Sequence, residues 1–176
     1  INANNGAILW FENLSTDSLF SKNLISDIQS SPVVDNNKVL VSSYINKFLS
    51  MQVNDGQINW EVQFSTINPI VSSGNYVFIV DSENKLHCLE DSSGAILWSV
   101  QLKTKNDDGI ISWYGPLLVE NKLILASSEG VIISISPYTG NLLGTIKTKH
   151  EFKTHPILAN KTIFFLSKDS HLIALE

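Results

Sequence analysis

The sequence predicts an all-β fold, a β-propeller of four-stranded antiparallel blades. Three observations predict it: a glycine-anchored motif that recurs four times, a proline-led apolar stretch at a fixed distance before it, and short β-branched runs between turn residues. The motif reads NNGAILW ending at Trp10, NDGQINW at Trp60, SSGAILW at Trp98 and YTGNLLG at Gly144, so Gly6, Gly56, Gly94 and Gly140 stand 50, 38 and 46 residues apart. Pro32, Pro69 and Pro116 open SPVV, NPIV and GPLL, 24, 25 and 24 residues ahead of the next motif glycine, and Pro156 opens HPIL. Such units, constant inside and variable between copies, are what strands joined by tight turns produce when the connections between units are free to vary. Tandem four-stranded units of about 40 to 45 residues are the pattern of propeller blades, each burying a face on its neighbour.

Taken in order, the chain enters on a strand D over residues 1–14. Blades are expected at 32–62, 69–102 and 116–147, and strands A to C of a further unit at 156–176. In the third blade, strand A lies near Leu117 to Val119, B is KLILASS from Lys122, C is VIISIS from Val131 and D is NLLGTIK from Asn141. The C-to-D turn ends on glycine each time, as a tight hairpin needing positive φ at its last position requires. Trp10, Trp60 and Trp98 follow four residues later on strand D, where a large ring can cover the neighbouring blade. These tryptophans, with Gly6, Gly56, Gly94 and Gly140, are the expected blade-docking set, each buried ring worth about 2 to 3 kcal/mol. In the last copy Gly144 replaces the tryptophan, so that seam must pack by other means. Cys88 aligns with Ser50, Ser134 and Ala174, which places it in a small inward-facing slot.

Because the chain starts on a strand D and stops after strands A to C, two closures fit. Either the ends meet in a self-closed four-bladed ring, or the chain belongs to a larger seven- or eight-bladed propeller, and two half-propellers would then associate as a homodimer.

At these residues the chain resembles the quinoprotein-type (PQQ-like) propeller repeat family, whose repeat runs approximately Ala-Leu-Asp-Ala-x-Thr-Gly-Lys-x-x-Trp. The corresponding stretches are CLEDSSGAILW at 88–98, SMQVNDGQINW at 50–60, SISPYTGNLLG at 134–144 and the incomplete INANNGAILW at 1–10. The acidic position varies, being Glu90, Gln52, Ser136 and Asn2. Dehydrogenases of that family hold a quinone cofactor and calcium on the propeller axis, commonly over a pair of adjacent cysteines. The single cysteine here cannot form that pair, and the acidic run NDDG at Asn106 to Gly109 reads as a solvated loop rather than a calcium cage. The resemblance therefore implies a chain without catalytic, cofactor-binding or metal-binding residues. It points to a protein-binding scaffold like the family's outer-membrane assembly lipoproteins, periplasmic and tethered to the outer membrane. Its partners would be the outer-membrane assembly machinery or unfolded barrel strands. Two alternatives stand beside it: a fragment of a PQQ-dependent dehydrogenase, and a luminal or extracellular sensor domain with the same repeats.

Composition narrows the partners. The chain of 176 residues carries 17 acids against 12 bases, and every base is lysine, which disfavours nucleic acid recognition by arginine forks. No apolar run approaches the roughly 20 residues of a transmembrane helix. The chain opens on Ile1, so a processed or truncated N-terminus is expected and targeting is not legible there. None of the four histidines, His87, His150, His155 and His171, has metal-pair spacing with carboxylate support, and no Ser/His/Asp arrangement is evident. His87 is expected on the less buried face of strand C, alternating with Leu86 and Cys88.

The parts that do not repeat are the connections between blades. KTKNDDGIISWYG, from Lys103 to Gly115, carries Trp113 and Tyr114 with Lys103 and Lys105, and is the candidate partner-binding loop. Its aromatics either anchor a partner or pack back onto the blade edge. Lysines in LKTK at 102–105 and IKTKHEFK at 146–153 form either a shared basic patch or a solvated face.

Overall fold

Runs of β-branched and aromatic residues alternate with polar turns, and they fold as strands throughout the computed structural model, which describes residues 5–12, 30–43, 46–106 and 109–176. Blade 1 contains β1 (Val33–Asp35), β2 (Lys38–Ser43), β3 (Lys47–Gln52) and β4 (Ile58–Val62). Blade 2 contains β5 (Val71–Ser73), β6 (Tyr76–Val80), β7 (Lys85–Glu90) and β8 (Ile96–Gln101). A two-stranded ribbon follows, β9 (Lys105–Asn106) with β10 (Gly109–Ile110). Blade 3 contains β11 (Trp113–Val119), β12 (Lys122–Ser127), β13 (Val131–Ile135) and β14 (Leu142–Lys147), and blade 4 contains β15 (Ile157–Ala159), β16 (Thr162–Leu166) and β17 (Leu172–Leu175). Within each blade the strands pair antiparallel in chain order, giving the expected propeller blades.

Of the expected entering strand D, residues 5–12 belong to no strand, and residues 1–4 and 13–14 lie outside the described ones. Nor does the ring close on itself, because among the described residues no strand pairs with the outer edge of β17. The described structure is an open arc of blades.

The turn between the third and fourth strands has the same backbone in three blades. The amides of Gly56, Gly94 and Gly140 donate to Gln52 O, Glu90 O and Ser136 O at 3.0, 2.8 and 2.9 Å, with φ of 75°, 72° and 72°. A register shift follows each turn, at Ser50/Met51, Cys88/Leu89 and Ser134/Ile135.

Central strands of blades 2 and 3 are buried on both faces, because each of these blades is covered by two neighbours and alternate side chains enter alternate seams. Val77, Ile79 and Leu89 of blade 2 meet Leu40, Phe48 and Trp60 of blade 1. On the opposite face Phe78, Leu86 and Cys88 meet Leu123, Leu125 and Ile133 of blade 3. Ile124, Ala126 and Ile132 then turn to Phe152 and Phe165 at the seam with blade 4. Cys88 is a free thiol, 1% exposed, and burial pushes it up to about 11.

The motif acts between blades. Trp60 lies over Gly94 of the next blade, where an added Cβ would come within 2.7 Å of the indole, and its Nε1–H donates to Asp91 O at 2.8 Å. Trp98 repeats this on Gly140 and Pro137 O, and Trp10 on Gly56 and Val53 O. Lys38 reinforces the first of these seams through its ion pair with Asp91. Around Gly6 a Cβ would meet nothing within 4 Å. Beyond Gly144, where the tryptophan is missing, a cleft of about 430 Å³ opens between blades 3 and 4, lined by Ile132, Ser134, Gly144, Ile163, Phe165 and Leu175.

Candidate functional site

The variable connections gather on one face, because each docks on the second turn of the blade that follows it. Ser82 N donates to Ser65 O at 2.9 Å, Ser128 N to Ser112 O at 2.9 Å, and Lys168 N to Glu151 O at 2.8 Å. The glycine turns sit on the opposite side, joined instead to first turns through Val53 N to Asn37 O and Asp91 N to Asn75 O. What repeats and what varies are therefore on different faces.

The connection after β8 corrects one expectation. Trp113 is not on a loop: it begins β11, is 6% exposed, and donates its Nε1–H to Lys103 O at 2.8 Å. Strand β11 runs through Pro116 by way of an irregularity between Tyr114 and Leu117, so the strand starts ahead of the proline. Tyr114 is half-buried, edge-on to His155 at 5.9 Å. Both aromatics pack back onto the blade, and Trp113 fastens the connection from beneath.

Lys103 and Lys105 remain exposed, Lys103 with Glu129 at 3.8 Å. The apolar group that does face solvent is Ile110, 85% exposed on β10, while Ile111 beside it is buried. Sequence reasoning missed Ile110, although the alternation of two adjacent isoleucines entering a strand could have indicated that one points out. A groove of about 520 Å³ lies between blades 2 and 3, lined by Leu102, Trp113 and Ile133 with Lys103, Glu129 and Lys147, which brings both lysine clusters to one place.

The histidines are more engaged than their spacing indicated. His87 is not on a less buried face: it is 5% exposed, with Nε2 2.8 Å from Asp81 Oδ2 and Nδ1 2.7 Å from Ser99 Oγ, and Phe64 stacks on the ring at 4.8 Å. Burial pushes the Asp81 carboxyl up, but hydrogen bonds from His87 and from the Lys85 and Glu83 amides, with the nearby imidazole, hold it below the usual value. This Ser-His-Asp chain was not evident in sequence, yet His87 and Ser99 are direct cross-strand partners in β7 and β8. Asp81 Oδ1 accepts the Glu83 and Lys85 amides, so the array also ties the turn before β7 to β8. His155 Nδ1 accepts the Gly115 amide at 3.1 Å, and burial lowers its pKa.

His150, Asp169 and His171 come together from two turns. Asp169 Oδ2 is 2.9 Å from His171 Nδ1 and 3.4 Å from His150 Nδ1. The Ser167 hydroxyl leads the interactions that hold the Asp169 carboxyl at about 2. No helix among the described residues is long and apolar enough to cross a membrane.

The family model described as outer membrane protein assembly factor BamB matches residues 1–100 and 90–176. The assembly factor BamB of Escherichia coli K12 is 24% identical over 182 residues, covering 97% of this chain and 43% of that protein. Its counterpart in Shewanella oneidensis is 22% identical over 175 residues, covering 96% and 42%. The chain thus spans less than half the length of these curated relatives. Among solved structures, BamB from Moraxella catarrhalis superposes with a TM-score of 0.73 at 16% identity, over 97% of this chain and 50% of that one. A quinohemoprotein alcohol dehydrogenase from Pseudomonas putida HK5 gives 0.74 at 11%, over 96% and 34%. At such identities the structural likeness carries the fold alone.

Proposed function

The chain belongs to the family of outer membrane protein assembly factor BamB, and from that premise we propose that it is a non-catalytic, protein-binding propeller segment assisting the assembly of outer-membrane β-barrel proteins in the periplasm. The observation that carries this reading is the ribbon of β9 and β10 on the variable face. It presents Ile110 to solvent, with Lys103 and Lys105 exposed nearby and Trp113 anchoring the connection below. An apolar anchor next to basic side chains fits a protein partner with apolar and acidic residues.

The outer rim supports the same class of partner. Strands β4, β8 and β14 each end a sheet with one edge unpaired among the described residues, and they expose Ile58, Ile96, Leu97, Leu142 and Leu143. Open edges bearing apolar groups are templates for an extended peptide such as an unfolded barrel strand.

Binding to the purified barrel-assembly machinery and to a urea-unfolded barrel protein tests the proposal. The combined change Lys103→Glu, Lys105→Glu and Ile110→Asp is expected to weaken capture at least about tenfold with unchanged melting. Undiminished capture by the folded variant would remove this surface from the account. Stoichiometric uptake of the quinone with calcium, seen as a bound chromophore, would overturn the scaffold reading altogether.

A further inference from the structure

We propose that His150, Asp169 and His171 form a binding site for a divalent late transition metal ion, zinc in the first instance, which clamps the connection after β14 to the turn between β16 and β17. The proposal is independent of the assembly role.

Both turns are fixed by their own backbone. Thr148 N donates to Gly130 O at 2.8 Å, the His150 amide donates to Thr148 Oγ1 at 3.2 Å, and the His150 carbonyl sits where a Cβ on Gly130 would come within 2.6 Å. Across from it, Ser167 Oγ accepts the His171 amide at 2.9 Å, and Ser167 O accepts the Ser170 amide at 3.1 Å. Lys168 N to Glu151 O and the bridge between Phe152 and Ser167 join the two turns. The three side chains are thus presented on a braced frame at the seam of blades 3 and 4.

Their donor atoms all lie within 4.8 Å of one another. Donors around a tetrahedral zinc ion at 2.0 to 2.1 Å stand about 3.3 Å apart. The separations of 2.9 and 3.4 Å from Asp169 Oδ2 bracket that spacing, and the rings of His150 and His171, 5.0 Å apart, set the third edge, which must shorten for all three donors to reach one ion. A second observation points to a ligand: Nδ1 of His150 is shielded from solvent and makes no well-formed hydrogen bond, although it faces the carboxylate at 3.4 Å on a side chain that is 36% exposed. Buried polar atoms are ordinarily satisfied, and a cation between imidazole and carboxylate would satisfy this one. Two imidazoles and one carboxylate suit zinc, nickel or copper rather than magnesium or calcium, which favour all-oxygen sets. Three protein donors with two of them exposed leave room for water as the remaining ligand.

Titration with zinc alone tests the site. One equivalent is expected to bind, with a rise in melting temperature, and His171→Ala or Asp169→Asn should weaken binding at least about tenfold. His150→Ala combined with His171→Ala should abolish it. Imidazole nitrogen spectra of the unaltered chain read the site without any substitution: His150 and His171 should shift on adding zinc while His87 and His155 stay in place. Failure to saturate at hundred-micromolar zinc, undiminished binding by the double variant, or shifts confined to other histidines would overturn the proposal.

Discussion

Between blades 1 and 2 the indole of Trp60 covers Gly94; between blades 3 and 4 the corresponding position is Gly144, and a cleft of about 430 Å³ stands in place of the ring. The two seams differ at both partners of the contact, since Gly144 stands where the ring would be and the three strands of blade 4 carry no motif glycine to receive it, and the difference shows how the motif works. Its glycine and its tryptophan never serve each other, since Gly56, Gly94 and Gly140 each receive the ring of the preceding copy. Gly140 therefore still holds Trp98 although its own copy lost the tryptophan. The weaker seam relies instead on Phe152 against Phe165 at 5.2 Å and on Tyr114 against His155.

The comparison breaks most visibly at Trp60. Trp60→Ala removes a buried ring and its bond to Asp91 O, and should cost about 4 kcal/mol in urea unfolding. The converse change enters the cleft: Gly144→Trp buries apolar surface against Ile163 and Phe165 but finds no receiving glycine, so it should stabilise by less, about 1 kcal/mol. Ser134 Oγ would stand 3.1 Å from the added Cβ and must shift by a few tenths of an ångström, a position Ser50 shows to be tolerated in the same register opposite Trp60.

Acid distinguishes the seams more gently. His155 has a pKa lowered from 6.5, so the stability its neutral form supplies is full above that pH and is lost as the pH falls through the folded value. Asp81, lowered from 3.8, contributes fully above that pH and loses its contribution only on further acidification. The seam carrying His155 should therefore loosen first. The pH dependence of unfolding as the pH falls below about 6.5 should flatten in His155→Gln.

Sequence exposed the repeating parts of this molecule and concealed the parts that meet across it. The glycines announced their positive φ and the tryptophans their burial, because each recurs at a fixed offset. Alternation misplaced His87 because β7 is covered on both faces, so no residue parity marks a solvent side. Trp113 was misplaced because β11 continues through Gly115 and Pro116, where a proline ordinarily marks a strand's start. His150 and His171 meet through two turns on different blades, a proximity that linear spacing does not encode. Ile110 and Ile111 differ only in which face of a short ribbon segment they occupy.

The central claim is that Gly56, Gly94 and Gly140 admit the preceding copy's tryptophan. A double-mutant cycle between Trp60→Ala and Gly94→Ala tests it directly. Alone, Gly94→Ala should cost about 3 kcal/mol, from a left-handed alanine plus a Cβ driven into the indole. With Trp60 already replaced, the same change should cost only about 1 kcal/mol, leaving a coupling of about 2 kcal/mol. An equal cost in both backgrounds would contradict the account.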